Sequence, residues 1–126
     1  MIYAYANVRS DDLSTHNYIN AGDGNDRVYG SYGSDTIIGG IGNDTLYSYG
    51  GLDVFLFTGN DGKDVIADFA IGQDTVHLDV EGFDLMFSDL TFSANGYSTI
   101  VSYLGNEITL QDLQIRDIQA NMFVFG

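Results

Sequence analysis

Cysteine is absent from the 126 residues, so no disulfide ties the fold together and neither a thiolate metal site nor a cysteine nucleophile is available. Proline is absent as well. Positive charge is scarce: four Lys and Arg stand against eighteen Asp and Glu, for a net charge of −14. Such a chain repels nucleic-acid phosphates and anionic membranes, which argues against both as partners, and it attracts cations. Self-repulsion also opposes compaction unless the carboxylates are widely spread or hold counter-ions. No apolar run approaches a membrane span, and the opening "MIYAYANVRSDD" has neither the cationic start nor the apolar stretch of a cleaved secretory signal. The two histidines, His16 and His77, read as ordinary surface or loop residues. H-E-x-x-H and G-x-S-x-G are missing too, so the chain is not expected to be an enzyme in itself. The length suits one domain, residues 1–126, and a monomer is expected.

What the chain does have is repetition. The nonapeptide "GGIGNDTLY" at 39–47 is preceded by "AGDGNDRVY" at 21–29 and "GSYGSDTII" at 30–38, and followed by "SYGGLDVFL" at 48–56. All four keep Gly at the fourth place (Gly24, Gly33, Gly42, Gly51), Asp at the sixth (Asp26, Asp35, Asp44, Asp53) and an apolar residue at the eighth (Val28, Ile37, Leu46, Phe55). "DLSTHNYIN" at 12–20 is a decayed copy with Thr15 for Gly and Asn17 for Asp. After two extra residues "GNDGKDVIA" at 59–67 restores the pattern, and after one more "FAIGQDTVH" at 69–77 does so again.

In each unit the first six residues read as a turn and the last three as a short strand. Glycine admits positive φ, which lets a loop curl until its carbonyls point inward, and the sixth-place Asp adds a carboxylate beside them. Triplets such as "TLY" alternate out, in, out, so the eighth residue is buried. One unit buries nothing alone. Two units per turn give a coil with two parallel sheets facing each other and loops stacked along two edges. Loops 21–26 and 39–44 then share one edge, and loops 30–35 and 48–53 the other. Stacked loops of this composition form an all-oxygen cage, which suits calcium better than the stricter octahedron of magnesium, and zinc would want His or Cys. The flanking Asp11, Asp12, Asp68 and Asp79 read as solvated charges.

These repeats resemble the RTX (repeats-in-toxin) family, whose signature is G-G-x-G-x-D-x-U-x with U a large apolar residue. "GGIGNDTLY" matches every specified place and "AGDGNDRVY" misses only the first. The resemblance implies an all-β parallel β-roll over residues 12–77, as in type I secreted proteases, lipases and alginate epimerases, with several calcium ions between stacked loops. Carried over, one site would use Gly22, Gly24 and Asp26 with Gly39, Ile41 and Asp44. A second would use Ser31, Gly33 and Asp35 with Ser48, Gly50 and Asp53. A third, with two extra residues intervening, would use Gly40, Gly42 and Asp44 with Gly59, Asp61 and Asp64. A site needing Asn17 would lack one carboxylate.

Past residue 78 the segments "DLTFS", "STIVSY" and "EITL", separated by Asn95-Gly96 and Gly105-Asn106, predict an antiparallel meander over 89–110, with a further strand at "MFVF". This antiparallel flank, 78–126, is expected to cap the open end of the roll. "NMFVFG" is similar to the ending of a type I secretion signal, except for Asn121 and the final Gly126. The function implied is a non-catalytic, secreted calcium-binding module that folds outside the cell and supports a parent protein, which could be a protease, lipase or epimerase. The alternative is a polysaccharide-binding module, because Arg27, Tyr29, Thr45 and Tyr47 fall on outward places of neighbouring strands. Cross-strand tyrosines that merely stabilise a sheet are the plainer explanation.

Overall fold

The eighth-place residues tie the repeats to the architecture. The computed structural model describes residues 3–5 and 16–126; Asp11, Asp12 and Thr15 lie outside the described residues. Strands β1 (Tyr3–Tyr5), β3 (Arg27–Tyr29), β5 (Thr45–Tyr47) and β7 (Lys63–Ile66) lie side by side in one sheet, and β2 (His16–Asn20), β4 (Ser34–Ile38), β6 (Val54–Phe57) and β8 (Thr75–Leu78) in the other. Neighbours within each of these two sets pair in parallel. The chain switches sheets with every repeat, as two units per turn requires.

Parallel register places Val28, Leu46 and Ile66 in one column, and Ile19, Ile37, Phe55 and Val76 in the column facing it. Apart from Ile19, at 9% exposure, all are fully buried. Each full burial contributes about 1.5–3 kcal/mol by removing apolar surface from water. Register survives the insertions because the loops absorb them. Asp26 and Asp44 stack at a separation of 18 residues, Asp44 and Asp64 at 20, and Asp53 and Asp74 at 21.

The C-terminal flank is more than a lid. Strands β9 (Thr91–Asn95), β10 (Ser98–Tyr103) and β11 (Asn106–Leu110) form the expected antiparallel meander, but β11 also pairs in parallel with β7. At the other sheet β12 (Phe123–Phe125) pairs in parallel with β8. The flank therefore extends both sheets, and Val101, Ile108, Leu110 and Phe123 lengthen the same core. The hairpin loops sit one residue away from the Asn-Gly and Gly-Asn dipeptides. Asn95 pairs with Ser98 and Tyr103 with Asn106, leaving Gly96-Tyr97 and Leu104-Gly105 as the turns. Leu104 and Gly105 both have positive φ, 45° and 80°, as a two-residue hairpin of matching twist demands. No α-helix occurs among the described residues; 3-10 turns at Phe87–Asp89, Ile115–Asp117 and Ala120–Met122 complete the flank.

Candidate metal centre

Along each edge the loops approach closely enough to show where their carbonyls point. Gly40 and Gly42 have φ of 91° and 122°. A Cβ on Gly40 would collide with the Gly22 carbonyl oxygen, and one on Gly42 with that of Gly24. The carbonyls of the second and fourth residues of loop 21–26 are thus aimed at loop 39–44. The Gly33 carbonyl is aimed at Gly51 on the other edge in the same way. First-place backbone meets other oxygens: Gly39, opening the second loop of its pair, lies against Asp44 Oδ2, and Gly30, opening the first loop of the other pair, against both Asp35 Oδ2 and the Ser48 carbonyl.

A carboxylate ladder connects successive coils. Asp44 Oδ1 accepts from the Asp26 N–H at 2.8 Å, Asp64 Oδ1 from the Asp44 N–H at 2.8 Å, and Asp53 Oδ1 from the Asp35 N–H at 2.8 Å. Asp74 Oδ1 takes the Asp53 N–H at 3.1 Å. Asp26, Asp35, Asp44, Asp53, Asp64 and Asp74 are all buried. Stacking anions away from water is costly, and the acids respond by holding protons more tightly. Burial, reinforced by Asp26 and Asp61, pushes Asp44 up to about 6. Burial and the Asp74 and Asp35 charges push Asp53 up to about 7, and burial with Asp44 and Asp61 pushes Asp64 up to about 8. Asp61 and Asp74 are raised as well, chiefly by burial.

These rungs use one oxygen each. Asp44 Oδ2 and Asp53 Oδ2 are buried and accept no hydrogen bond. A buried carboxylate oxygen with no donor costs several kcal/mol unless something else meets it. Both belong to the second loop of a full Asp pair, beside carbonyl-lined gaps. Among the described residues no three carboxylate or imidazole groups converge, so the donor set is carbonyls with at most paired carboxylates. That all-oxygen set fits calcium and leaves zinc without its preferred ligands.

The remaining candidates divide. Ser31 and Ser48 are buried at the second edge. Asp35 Oδ2 is engaged by the Ser31 N–H at 2.7 Å, while Asn17 Nδ2 donates to Asp35 Oδ1 at 2.8 Å. Asn17 therefore meets the Asp35 charge with an amide where a repeat Asp would have added a second charge. At the third site the loop stacks through Gly62, whose added Cβ would lie 2.6 Å from the Gly42 carbonyl oxygen. Gly59 faces Val80, and the Asp61 carboxylate turns inward to accept from the Gly59 N–H and the Tyr103 hydroxyl, both at 2.8 Å. The two extra residues swing the start of this loop off the stack. Gly50 packs against the Tyr32 ring, and Ile41 is half exposed with its carbonyl accepting from the Gly24 N–H at 2.8 Å.

Several residues that position the loops carry no repeat signal. Tyr103 is buried, and Asn106 Oδ1 accepts from the Asp61 and Gly62 amides at 3.0 Å each, closing the last loop without a carboxylate rung. Tyr103→Phe is expected to cost about 1–3 kcal/mol, the range for losing a hydrogen bond to a buried charged group, measured by urea denaturation in calcium. Asp68 is no solvated charge: it grips the Ser48 and Tyr49 amides. Fifth-place asparagines form a second ladder, with the Asn43 N–H donating to Asn25 Oδ1 and the Lys63 N–H to Asn43 Oδ1. The recurring "GND" at 24–26 and 42–44 was the available sign of it.

Tyr29 and Tyr47 do neighbour each other, with ring centroids 5.0 Å apart and planes within 7°. Tyr49 lies 6.5 Å from both, and Tyr32 6.0 Å from Tyr49. Arg27 stands in register with Thr45 on the adjoining strand.

Residues 14–46 match the family model described as the RTX calcium-binding nonapeptide repeat (4 copies). The extracellular lipase LipA from Serratia marcescens superimposes with a TM-score of 0.74 at 21% identity, over 99% of this chain and 19% of the lipase. A subunit, AlgE6R2, of the mannuronan C5-epimerase from Azotobacter vinelandii superimposes with a TM-score of 0.65 at 25% identity, over 98% of this chain and 91% of that one. The chain thus spans about a fifth of the lipase and nearly all of the epimerase subunit. No curated protein sequence matches.

Proposed function

This chain carries RTX calcium-binding nonapeptide repeats in a β-roll, and from that premise we propose that it is a calcium-gated folding module of a larger secreted protein. Gly22, Gly24, Asp26, Gly39, Ile41 and Asp44 would hold one ion, and Ser31, Gly33, Asp35, Ser48, Gly50 and Asp53 a second. The third loop pair, having lost Gly59 from the stack, contributes through Gly42, Asp44 and Asp64. The supporting observation is the pair of buried, donorless oxygens, Asp44 Oδ2 and Asp53 Oδ2, beside inward carbonyls. Bound calcium supplies the positive charge that the stacked carboxylates lack.

Modules of this kind bind calcium at roughly 0.1–1 mM, the extracellular range. With each dissociation constant about tenfold below the ambient calcium, each site adds about 1.4 kcal/mol, so two add about 3 kcal/mol. At cytosolic calcium the chain stays unfolded and fit for export, including through a type I system, and it folds outside. It performs no catalysis of its own and stabilises an attached domain. Small-angle scattering tests this: a radius of gyration of about 14 Å is expected in millimolar calcium, and one approaching about 36 Å with calcium chelated.

The polysaccharide alternative draws less support: Tyr29 and Tyr47 stack on each other, and Tyr49 packs against both and against Tyr32, so these rings spend faces on one another.

A further inference from the structure

Ser48 opens loop 48–53, and Asp68 lies one coil further on, in register with it by continuation of the Leu46–Ile66 pair. Asp68 occupies no sixth place in the repeats, yet both of its carboxylate oxygens reach back across the coil. Oδ1 accepts from the Ser48 N–H at 2.9 Å and Oδ2 from the Tyr49 N–H at 2.8 Å. Between these two bonds the backbone does something unusual. Tyr49 has φ of 66°, the left-handed conformation that Gly22 and Gly40 adopt at the same place of their loops with φ of 84° and 91°. A non-glycine residue is held there against the crowding of its Cβ by the following carbonyl oxygen. The hold comes from the two bonds to Asp68 and from the packing of the Tyr49 ring among Tyr29, Tyr32 and Tyr47.

The N–H of Tyr49 and the C=O of Ser48 belong to one planar trans peptide and point in opposite directions. Tying that N–H to Asp68 on the following coil turns the Ser48 carbonyl toward the preceding one. There it is found, 2.9 Å from where a Cβ on Gly30 would stand. The Asp53 carboxylate also bridges loops 30–35 and 48–53, its Oδ1 accepting from the Asp35 N–H at 2.8 Å while its Oδ2 is buried without a donor.

We propose that Asp68 is a positioning residue for the cation site between loops 30–35 and 48–53: it locks the Ser48–Tyr49 peptide so that the Ser48 carbonyl is preset to ligate calcium. This rests on the calcium reading above and adds a residue outside the repeat signature. In Asp68→Asn a single acceptor oxygen must serve two amides, and the strained Tyr49 backbone is released. Loss of such an outer partner lowers metal affinity by about 10- to 100-fold.

The test uses the whole chain, folded in calcium and checked by far-UV circular dichroism, with terbium(III) titrated in competition. Tyr32 and Tyr49 sit within the two loops, so tyrosine-sensitised terbium emission reports this site. Half-saturation is expected at a terbium concentration at least tenfold higher for Asp68→Asn than for the wild type, with the circular dichroism unchanged. Adding Tyr49→Gly to Asp68→Asn is expected to bring half-saturation back to within about threefold of the wild type, because glycine adopts the left-handed conformation without strain. That double variant also relieves the strain should Asp68→Asn alone fold poorly. A folded Asp68→Asn within twofold of the wild type, or a loss that Tyr49→Gly leaves untouched, overturns the positioning role. Absence of sensitised emission from the wild type overturns the calcium reading at these loops, and the positioning role with it.

Discussion

Asp44→Asn is expected to raise the calcium concentration needed for half-folding at least tenfold while leaving the calcium-free chain no less stable than the wild type. The two effects have opposite signs because Asp44 has two oxygens in different situations. Oδ1 accepts the Asp26 N–H at 2.8 Å, and asparagine keeps that oxygen. Oδ2 is buried without a donor, and asparagine replaces it with an amide that can donate to the surrounding carbonyls. Without metal, the substitution removes a charge that burial and the neighbouring Asp26 and Asp61 disfavour. With metal, it removes a charged ligand, and a tenfold loss is about 1.4 kcal/mol. The calcium midpoint of folding, followed by far-UV circular dichroism, measures the first effect, and the fraction folded in chelator with an excluded osmolyte such as TMAO added to promote folding measures the second. A variant that is destabilised in chelator and unchanged in its calcium requirement would show that the Asp44 carboxylate is structural and no ligand.

Acidification is expected to favour folding of the calcium-free chain, the reverse of the usual behaviour of carboxylate-rich folds. Asp44, Asp53 and Asp64 have pKa values of about 6, 7 and 8 in the folded protein against an ordinary 3.8. A group raised by folding contributes stability that is fully present below its unfolded value and is lost as pH climbs through its folded value. Without calcium, stability therefore falls as pH rises from about 4 to about 8, by up to about 1.4 kcal/mol per pH unit for each extra proton the native state binds. With calcium the sign inverts, since protons and calcium compete for the same oxygens and acid displaces the ion. The fraction folded by far-UV circular dichroism at pH 5 and pH 8, in calcium-stripped and calcium-saturated buffers, with the same concentration of an excluded osmolyte throughout, checks the crossing of the two trends. Parallel pH trends in both buffers would mean that calcium does not neutralise these carboxylates.

The column from Val28 to Val76 and the Asp stacks at 26 and 44, and at 35 and 53, were legible because a period of nine leaves a local mark at every turn. Even the slips before Asp64 and Asp74 could be read, since the loops take up extra residues without disturbing the strands. The third loop pair was less legible: spacing locates Asp64 but does not say that Gly59 leaves the stack for Val80. Turn chemistry revealed the meander of β9, β10 and β11. It could not reveal that β11 joins β7, a parallel pairing across 44 residues in sequence, as between Lys63 and Glu107. Tyr103 and Asn106 left no mark in the repeats, and Asp68 read as a solvated charge, because each acts across coils on a backbone amide or a single carboxylate, and such contacts follow from three-dimensional stacking. Tyr49 left no sign either, since nothing in a tyrosine at the second place of a loop says that its backbone takes the left-handed conformation of Gly22 and Gly40.

The most direct measurement is far-UV circular dichroism of the whole chain, starting fully chelated and titrated with calcium, beside a parallel titration with magnesium. A disordered spectrum should convert cooperatively to a β spectrum between roughly 0.1 and 1 mM calcium, and magnesium at the same concentrations should leave it disordered. A native β spectrum before any divalent ion is added would contradict calcium-gated folding.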